Sequence, residues 1–219
     1  MAGATYYPIY ADLRGRRCVI IGGGPVAHRK ATTLLRHGAQ VTVISPLLTP
    51  RLATRARAGA VRHIARTFRA SDLRGAWLAY ACTDDQRVNE RVARAAREAR
   101  LFANVVDQPS LCSFIAPAIL RRGRLTVAVS TGGASPTFAK HLRRRLAACI
   151  GGETPAMLRL LAGLRTPAKR VLPRYEDRKR YFHEVVEGAV AAQVRAGRHR
   201  LARRQALTLL HRRAATRTV

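Results

Sequence analysis

The chain has 219 residues, 47 % of them hydrophobic, and sets 41 Lys plus Arg against 12 Asp plus Glu for a formal charge of +29. That length buries a real core in one large domain or two small ones, and no apolar run is long enough to span a bilayer. No signal peptide is expected from Met1–Tyr10, and Cys18, Cys82, Cys112 and Cys149, scattered without a C-x-x-C, argue against a disulfide framework or a zinc site.

Met1–Ala11 is a lead-in and Asp12–Arg17 a turn into the first strand, Cys18–Ile21, an apolar run suited to burial on both faces. Gly22-Gly23-Gly24 follows at once, then a helix over Pro25–Arg36 with Val26, Ala27, Ala31, Leu34 and Leu35 on one face. Strand, glycine turn and helix in that order form a dinucleotide-binding pattern. Gly22 makes the sharp turn, Gly24 lets the backbone approach a pyrophosphate, and Ala27 allows the helix to lie close to its strand. The first helical amides, at Val26 and beyond, face the phosphates, with Pro25 opening the helix. An ordinary structural turn is the competing reading.

Gly38 suits the stop of that helix, and Val41–Ile44 is the second strand. Its end, where an acidic residue commonly meets the adenosine ribose, carries Ser45-Pro46-Leu47 instead, so this position does not separate NAD from NADP. Arg51 is either an acceptor of a 2′-phosphate or an exposed side chain on the next helix, Thr49–Ala58, opened by Thr49 as N-cap and Pro50.

Val61–Ile64 and Trp77–Cys82 are strands. Thr83-Asp84-Asp85 then caps a helix over Asp85–Ala99, touches the cofactor, or does both. Leu101–Val106 is a further strand. The alternation predicts an α/β, Rossmann-like, doubly wound parallel sheet.

The pattern then changes to two apolar runs, Ser113–Leu120 and Leu125–Ser130, joined as a hairpin by Arg121-Arg122-Gly123-Arg124. A helix capped by Ser135 runs to about Cys149. Such a small α+β element is too small to fold alone and is expected to pack on something, a second copy of itself included. After Gly151-Gly152, helices are expected over Ala156–Leu164, Tyr175–Arg195 and Arg198–Ala214. Three regions result: 1–112 for the cofactor, 113–150 for dimerisation, and 151–219, mainly helical.

Asp107 ends the run Asn104-Val105-Val106-Asp107 at the carboxyl end of a sheet strand, placed as a base or as a turn former. Ser130–Ser135 offers hydroxyls and amides ahead of a helix, either a carboxylate seat or an ordinary cap. His183 and Glu187 share a helical face, as a surface pair or half a metal site, and no metal site is expected.

Together these segments resemble the precorrin-2 dehydrogenase family, also met as the dehydrogenase and ferrochelatase portion of sirohaem synthase. The resemblance rests on Gly22-Gly23-Gly24-Pro25-Val26-Ala27 with Arg29-Lys30, on Cys82-Thr83-Asp84-Asp85 with Val88-Asn89, and on Asn104-Val105-Val106-Asp107. It continues through Ser113-Phe114-Ile115-Ala116-Pro117 and Val127–Pro136, over roughly residues 7 to 150. It implies NAD-dependent oxidation of the tetrapyrrole precorrin-2 to sirohydrochlorin in a cytoplasmic homodimer joined through the central hairpin and helix.

By the same resemblance Asp107 is the catalytic residue; Gly22, Gly23, Gly24, Pro25, Val26, Ser45, Pro46, Leu47 and Thr83 hold NAD; and Asn104, Ser113, Thr131, Gly132 and Gly133 meet the substrate. Thr131 keeps the hydroxyl of the serine common in the family. The absent acid after the second strand is normal there and favours NAD. Some relatives also insert Fe²⁺, as a substrate, and some carry a methyltransferase domain for which this chain leaves no room. The positive field would gather a polycarboxylate substrate. A non-catalytic NAD-sensing module is the alternative. The charge is compatible with nucleic acid, but no aromatic-basic motif or recognition helix supports that partner, and no membrane partner is expected.

Overall fold

The computed structural model describes residues 6–215; part of the Met1–Ala11 lead-in lies outside them. Two compact units divide the chain. One holds residues up to 116 together with 132–134, the other residues 117–131 and those from 135 on.

In the first unit the chain runs β1 (Arg17–Ile21), α1 (Pro25–Arg36), β2 (Gln40–Ile44), α2 (Pro50–Arg57), β3 (Arg62–Ile64), β4 (Leu78–Ala81), α3 (Gln86–Glu98) and β5 (Phe102–Val105). The strands form one parallel sheet in the order β3-β2-β1-β4-β5. This is the expected doubly wound arrangement, and the chain reverses its lateral course between β1 and β4. Successive residues of a strand face opposite sides, so β1 feeds two cores. Val19 and Ile21 pack with Val92 and Ala96 of α3, while Cys18 and Ile20 pack with Ala27, Ala31 and Leu34 of α1. Each large aliphatic side chain among them contributes about 1.5–3 kcal/mol on burial.

Helix α1 ends as its sequence dictates. Gly38 takes φ +75°, its amide bonds the Leu35 carbonyl, and the Ala39 amide bonds the Leu34 carbonyl. Thr49 occupies the N-cap of α2 with extended backbone, yet its hydroxyl caps no amide, contrary to the role expected of it. Asp85 caps α3 as expected, accepting from the Arg87 and Val88 amides.

The second unit opens with an antiparallel hairpin, β6 (Ala118–Arg122) and β7 (Leu125–Val129), turning at Gly123-Arg124. Its first strand begins later than the apolar run from Ser113 predicts. The Ser113 amide bonds the Ala103 carbonyl at 2.8 Å, which ties that stretch along β5. Helix α4 (Pro136–Cys149) packs on the hairpin, with Arg122 Nη2 donating to the Ala147 carbonyl at 2.8 Å.

Helices α5 (Thr154–Val171), α6 (Tyr175–Glu187), α7 (Ala189–Arg195) and α8 (His199–Ala215) enclose a core of Leu164, Leu172, Tyr181, Val185, Val194 and Leu210. The single helix expected over Tyr175–Arg195 is broken at Gly188. There the backbone is extended (ψ −159°), and a Cβ would lie 2.6 Å from the Glu184 carbonyl oxygen. The helix expected to end at Leu164 instead continues through Pro167 to Val171. Among the described residues, no helix is long and apolar enough to cross a membrane.

Candidate dinucleotide cleft

The end of β1 is wedged between its neighbours. Gly22 sits at φ +116°, and a Cβ there would lie 2.4 Å from the Cys82 carbonyl oxygen at the end of β4. A Cβ on Gly23 would lie 1.9 Å from the Leu47 carbonyl oxygen, in the connection leaving β2. Backbone bonds hold both approaches: Gly22 N–H to Ile44 at 2.9 Å, Cys82 N–H to Ile21 at 2.7 Å, and Thr49 N–H to the Gly23 carbonyl at 2.9 Å. Only residues without a Cβ allow three loops to converge this closely.

Gly24, by contrast, faces open space: a Cβ added there would meet nothing within 4 Å, and the residue is the N-cap of α1. No side chain caps that helix and no acidic residue sits in its first turn, which leaves its leading amides for another acceptor.

These loops line a cleft of about 600 Å³ at the carboxyl edge of the sheet, where β1 and β4 part. Gly22, Gly23, Gly24, Pro25, Val26, Ser45, Pro46, Leu47 and Thr83 all line it, so every residue expected to hold the cofactor comes together here. The Ser45 hydroxyl donates to the Leu47 carbonyl at 2.7 Å, which fixes the bend after β2. Thr83 Oγ1 lies 3.0 Å from both the Asp85 carbonyl and Asn89 Oδ1, and Asn89 Nδ2 donates to the Thr83 carbonyl at 3.0 Å. Asn89, 4 % exposed, therefore orients the residue that meets the cleft.

The donor set fits a dinucleotide. Bare helix amides stand beside an open Gly24, and the Thr49 hydroxyl, on a lining residue, is buried without a partner. Arg51 is exposed on α2 and does not line the cleft; Arg66, which the sequence does not single out, does. Arg66 Nη1 and Nη2 grip Asp72 Oδ2 and Oδ1 at 2.8 and 2.6 Å, and the Asp72 side chain is 5 % exposed. The guanidinium holds the Asp72 carboxyl below its usual range. No periodicity marks this pair six residues apart, with Arg66 in the connection after β3 and Asp72 on a short 3-10 helix, Ala70–Leu73.

Asp107 follows β5, the neighbour of β4, and so stands along the same carboxyl edge, exposed and at φ +60°. It is not among the residues lining the cleft. Lys30 on α1 places its ammonium 4.4 Å from the centre of the Tyr80 ring. Burial lowers the Lys30 pKa, and the charge of Asp107 is among those acting to raise it. Burial also pushes Cys82 up to about 12, which leaves that neighbouring thiol neutral.

The remaining expected residues are tied into local structure. Asn104, 8 % exposed, donates to the Phe114 carbonyl at 3.0 Å. Ser113 Oγ accepts from the Ala103 amide at 2.8 Å, so both fasten the 112–114 segment to β5. Thr131 Oγ1 accepts from the Ser135 amide at 3.0 Å, Ser135 Oγ accepts from the Phe138 amide at 3.1 Å, and Gly132 and Gly133 take φ +62° and +91°. This knot caps α4. His183 and Glu187 meet at 3.5 Å with both side chains exposed, and the described residues gather no group of three or more His, Cys, Asp or Glu able to hold a metal.

Comparison with known proteins gives the cleft its relatives. Residues 9–118 match a family described as putative NAD(P)-binding, residues 122–148 one described as sirohaem biosynthesis protein central, and residues 155–210 one described as sirohaem synthase dimerisation region. The siroheme synthase of Thioalkalivibrio sulfidiphilus is 39 % identical over 198 residues, 90 % of this chain and 40 % of that one. That of Methylococcus capsulatus is 42 % identical over 193 residues, 88 % of this chain and 41 % of that one. The chain thus spans about two-fifths of the length of these relatives. Among solved structures, SirC, a precorrin-2 dehydrogenase, superposes with a TM-score of 0.75 at 24 % identity, covering 94 % of this chain and all of that one.

Proposed function

The chain belongs to the putative NAD(P)-binding family, and from that premise we propose that it is an NAD-dependent dehydrogenase converting precorrin-2 to sirohydrochlorin. The observation that carries the reading is the cleft itself. The loops after β2 and β4 pack against Gly23 and Gly22, which admit no Cβ, and leave the α1 amides open to a pyrophosphate. The named activities of SirC and of the siroheme synthases supply the substrate class.

When bound, the nicotinamide supplies the hydride acceptor. The residues of the chain do the rest. Gly22 to Val26 hold the phosphates, Ser45-Pro46-Leu47 shape the ribose end, and Thr83, oriented by Asn89, borders the β4 side. Asp107 accepts the proton that leaves the macrocycle as its partner hydrogen departs as hydride, or accepts a pyrrole N–H. Lys30, whose charge is favoured by that of Asp107, offers the substrate carboxylates a partner. Asn104, Ser113, Thr131, Gly132 and Gly133 are the residues we propose to bind the substrate.

In this proposal the chain works as a homodimer. Its pairing surface draws on residues 113–150 and, given the match of residues 155–210 to a dimerisation region, on α5 to α8. The four free cysteines suit a reducing, cytoplasmic setting. Insertion of Fe²⁺ into sirohydrochlorin, with iron as substrate, is the second activity of the same reading, and Asp107 would take the pyrrole protons there too.

Absorbance during incubation of precorrin-2 with NAD, then Fe²⁺, tests the proposal. Wild-type protein gives the dehydrogenation change, and Asp107→Ala slows it by about 100-fold or more with NAD binding retained. Near-normal turnover by Asp107→Ala removes that residue from the mechanism. A protein that binds NAD and leaves the spectrum of precorrin-2 unchanged is an NAD-sensing module instead.

A further inference from the structure

We propose that the Arg66–Asp72 ion pair selects NAD over NADP, by withholding from the 2′-phosphate the one cationic side chain among the described residues lining the cleft. The inference rests on the dinucleotide reading of the cleft and is independent of the tetrapyrrole.

In folds of this topology the end of the second strand meets the adenosine ribose. A carboxylate there binds the 2′-hydroxyl, while a nearby arginine accommodates a 2′-phosphate. Here neither usual signal is present at β2. Ser45 turns its hydroxyl to the Leu47 carbonyl, and Pro46 and Leu47 follow. The adjacent strand β3 pairs Ile64 with Ile44, and Arg66 leaves its end into the cleft lining, which also holds Ser45 and Thr67. By position Arg66 is the residue that would make this cleft an NADP site.

Its guanidinium is already engaged. Both terminal nitrogens bond the Asp72 carboxylate, and Nη1 also donates to the Thr67 carbonyl at 2.9 Å. Asp72 is itself fixed, accepting from the Arg69 amide at 2.8 Å, while Arg17 Nη2 donates to its backbone carbonyl rather than its carboxylate. A bidentate arginine–carboxylate pair with one nearly buried member is directional and hard to displace. It presents the ribose end with no net charge, so a phosphate dianion meets no free cation there, whereas a neutral 2′-hydroxyl loses nothing.

Calorimetric titration of the full chain with NAD and with NADP decides this without turnover. Wild-type protein binds NAD more tightly. Asp72→Asn frees the guanidinium and tightens NADP by about tenfold, the worth of a charge-assisted hydrogen bond, with NAD little changed. The double variant Arg66→Gln/Asp72→Asn returns the ratio to the wild-type value. Arg66→Lys, which cannot grip both carboxylate oxygens, shifts the ratio in the same direction as Asp72→Asn and serves if that variant does not fold. An unmoved ratio in folded Asp72→Asn or Arg66→Lys, or a gain that persists in the double variant, overturns the inference. Failure of wild-type protein to bind either nucleotide overturns the dinucleotide reading with it.

Discussion

Gly23 and Gly24 are neighbours under opposite constraints. A Cβ on Gly23 runs into the Leu47 carbonyl, a backbone group fixed by the Ser45 hydroxyl, while one on Gly24 meets open space over the start of α1. Gly23→Ala is therefore expected to destabilise the protein by about 2 kcal/mol through forced loop displacement. Gly24→Ala should cost less than about 1 kcal/mol, the preference of an N-cap for glycine over alanine, yet weaken NAD because the methyl fills phosphate space. Urea midpoints and NAD titrations of the two variants measure this; equal stability losses would contradict the packing argument. At this scale the glycine turn was legible because strand, glycines and helix are contiguous. The Arg66–Asp72 pair, the Asn89 bond to Thr83 and the uncapped Thr49 hydroxyl were not. Each depends on how side chains from separate turns and helix starts are aimed at one another after the sheet has formed.

Elements followed their local signals wherever those signals agreed with packing. The five parallel strands and α1 to α3 were legible from alternating apolar runs and helical periodicity, as was the hairpin of β6 and β7. The departures come where tertiary contacts override a local signal. Proline removes an intrahelical hydrogen bond and crowds the preceding turn, which argues for ending the helix before Pro167. On either side of it, Leu164 and Ala168 of α5 and the C-cap Leu172 are at most 1 % exposed in one core with Tyr181 and Leu210. That burial outweighs the proline penalty and carries the helix through. Pro167→Ala should then stabilise the protein by about 1–3 kcal/mol, since it restores a donor inside an already helical backbone. Denaturant unfolding at constant m-value measures the gain, and a loss of stability would mean that the proline fits a locally distorted turn. Gly188 works the other way: one extended residue divides a continuous helical pattern into α6 and α7.

Across the whole molecule, charge is the property that no single element explains. If every acidic side chain neutralised one base, 29 positive charges would remain, and they are spread over the chain rather than gathered in a tail. A field of that size attracts any polyanion, and for the proposed reaction the polyanion is the substrate with its many carboxylates. NAD carries less charge and docks at helix amides and glycines, where short-range geometry dominates. Salt should therefore separate the two ligands. Raising ionic strength from about 0.01 to about 0.3 M shortens the Debye length from about 30 to about 6 Å. It should lower kcat/KM for precorrin-2 by about tenfold or more, acting through association, while the Kd of NAD moves much less. Stopped-flow rates at matched pH, with a neutral osmolyte as control for viscosity, measure the difference. A salt-independent kcat/KM would mean that the arginine excess plays no part in capturing the substrate and that local contacts near Asp107 and Lys30 do so alone.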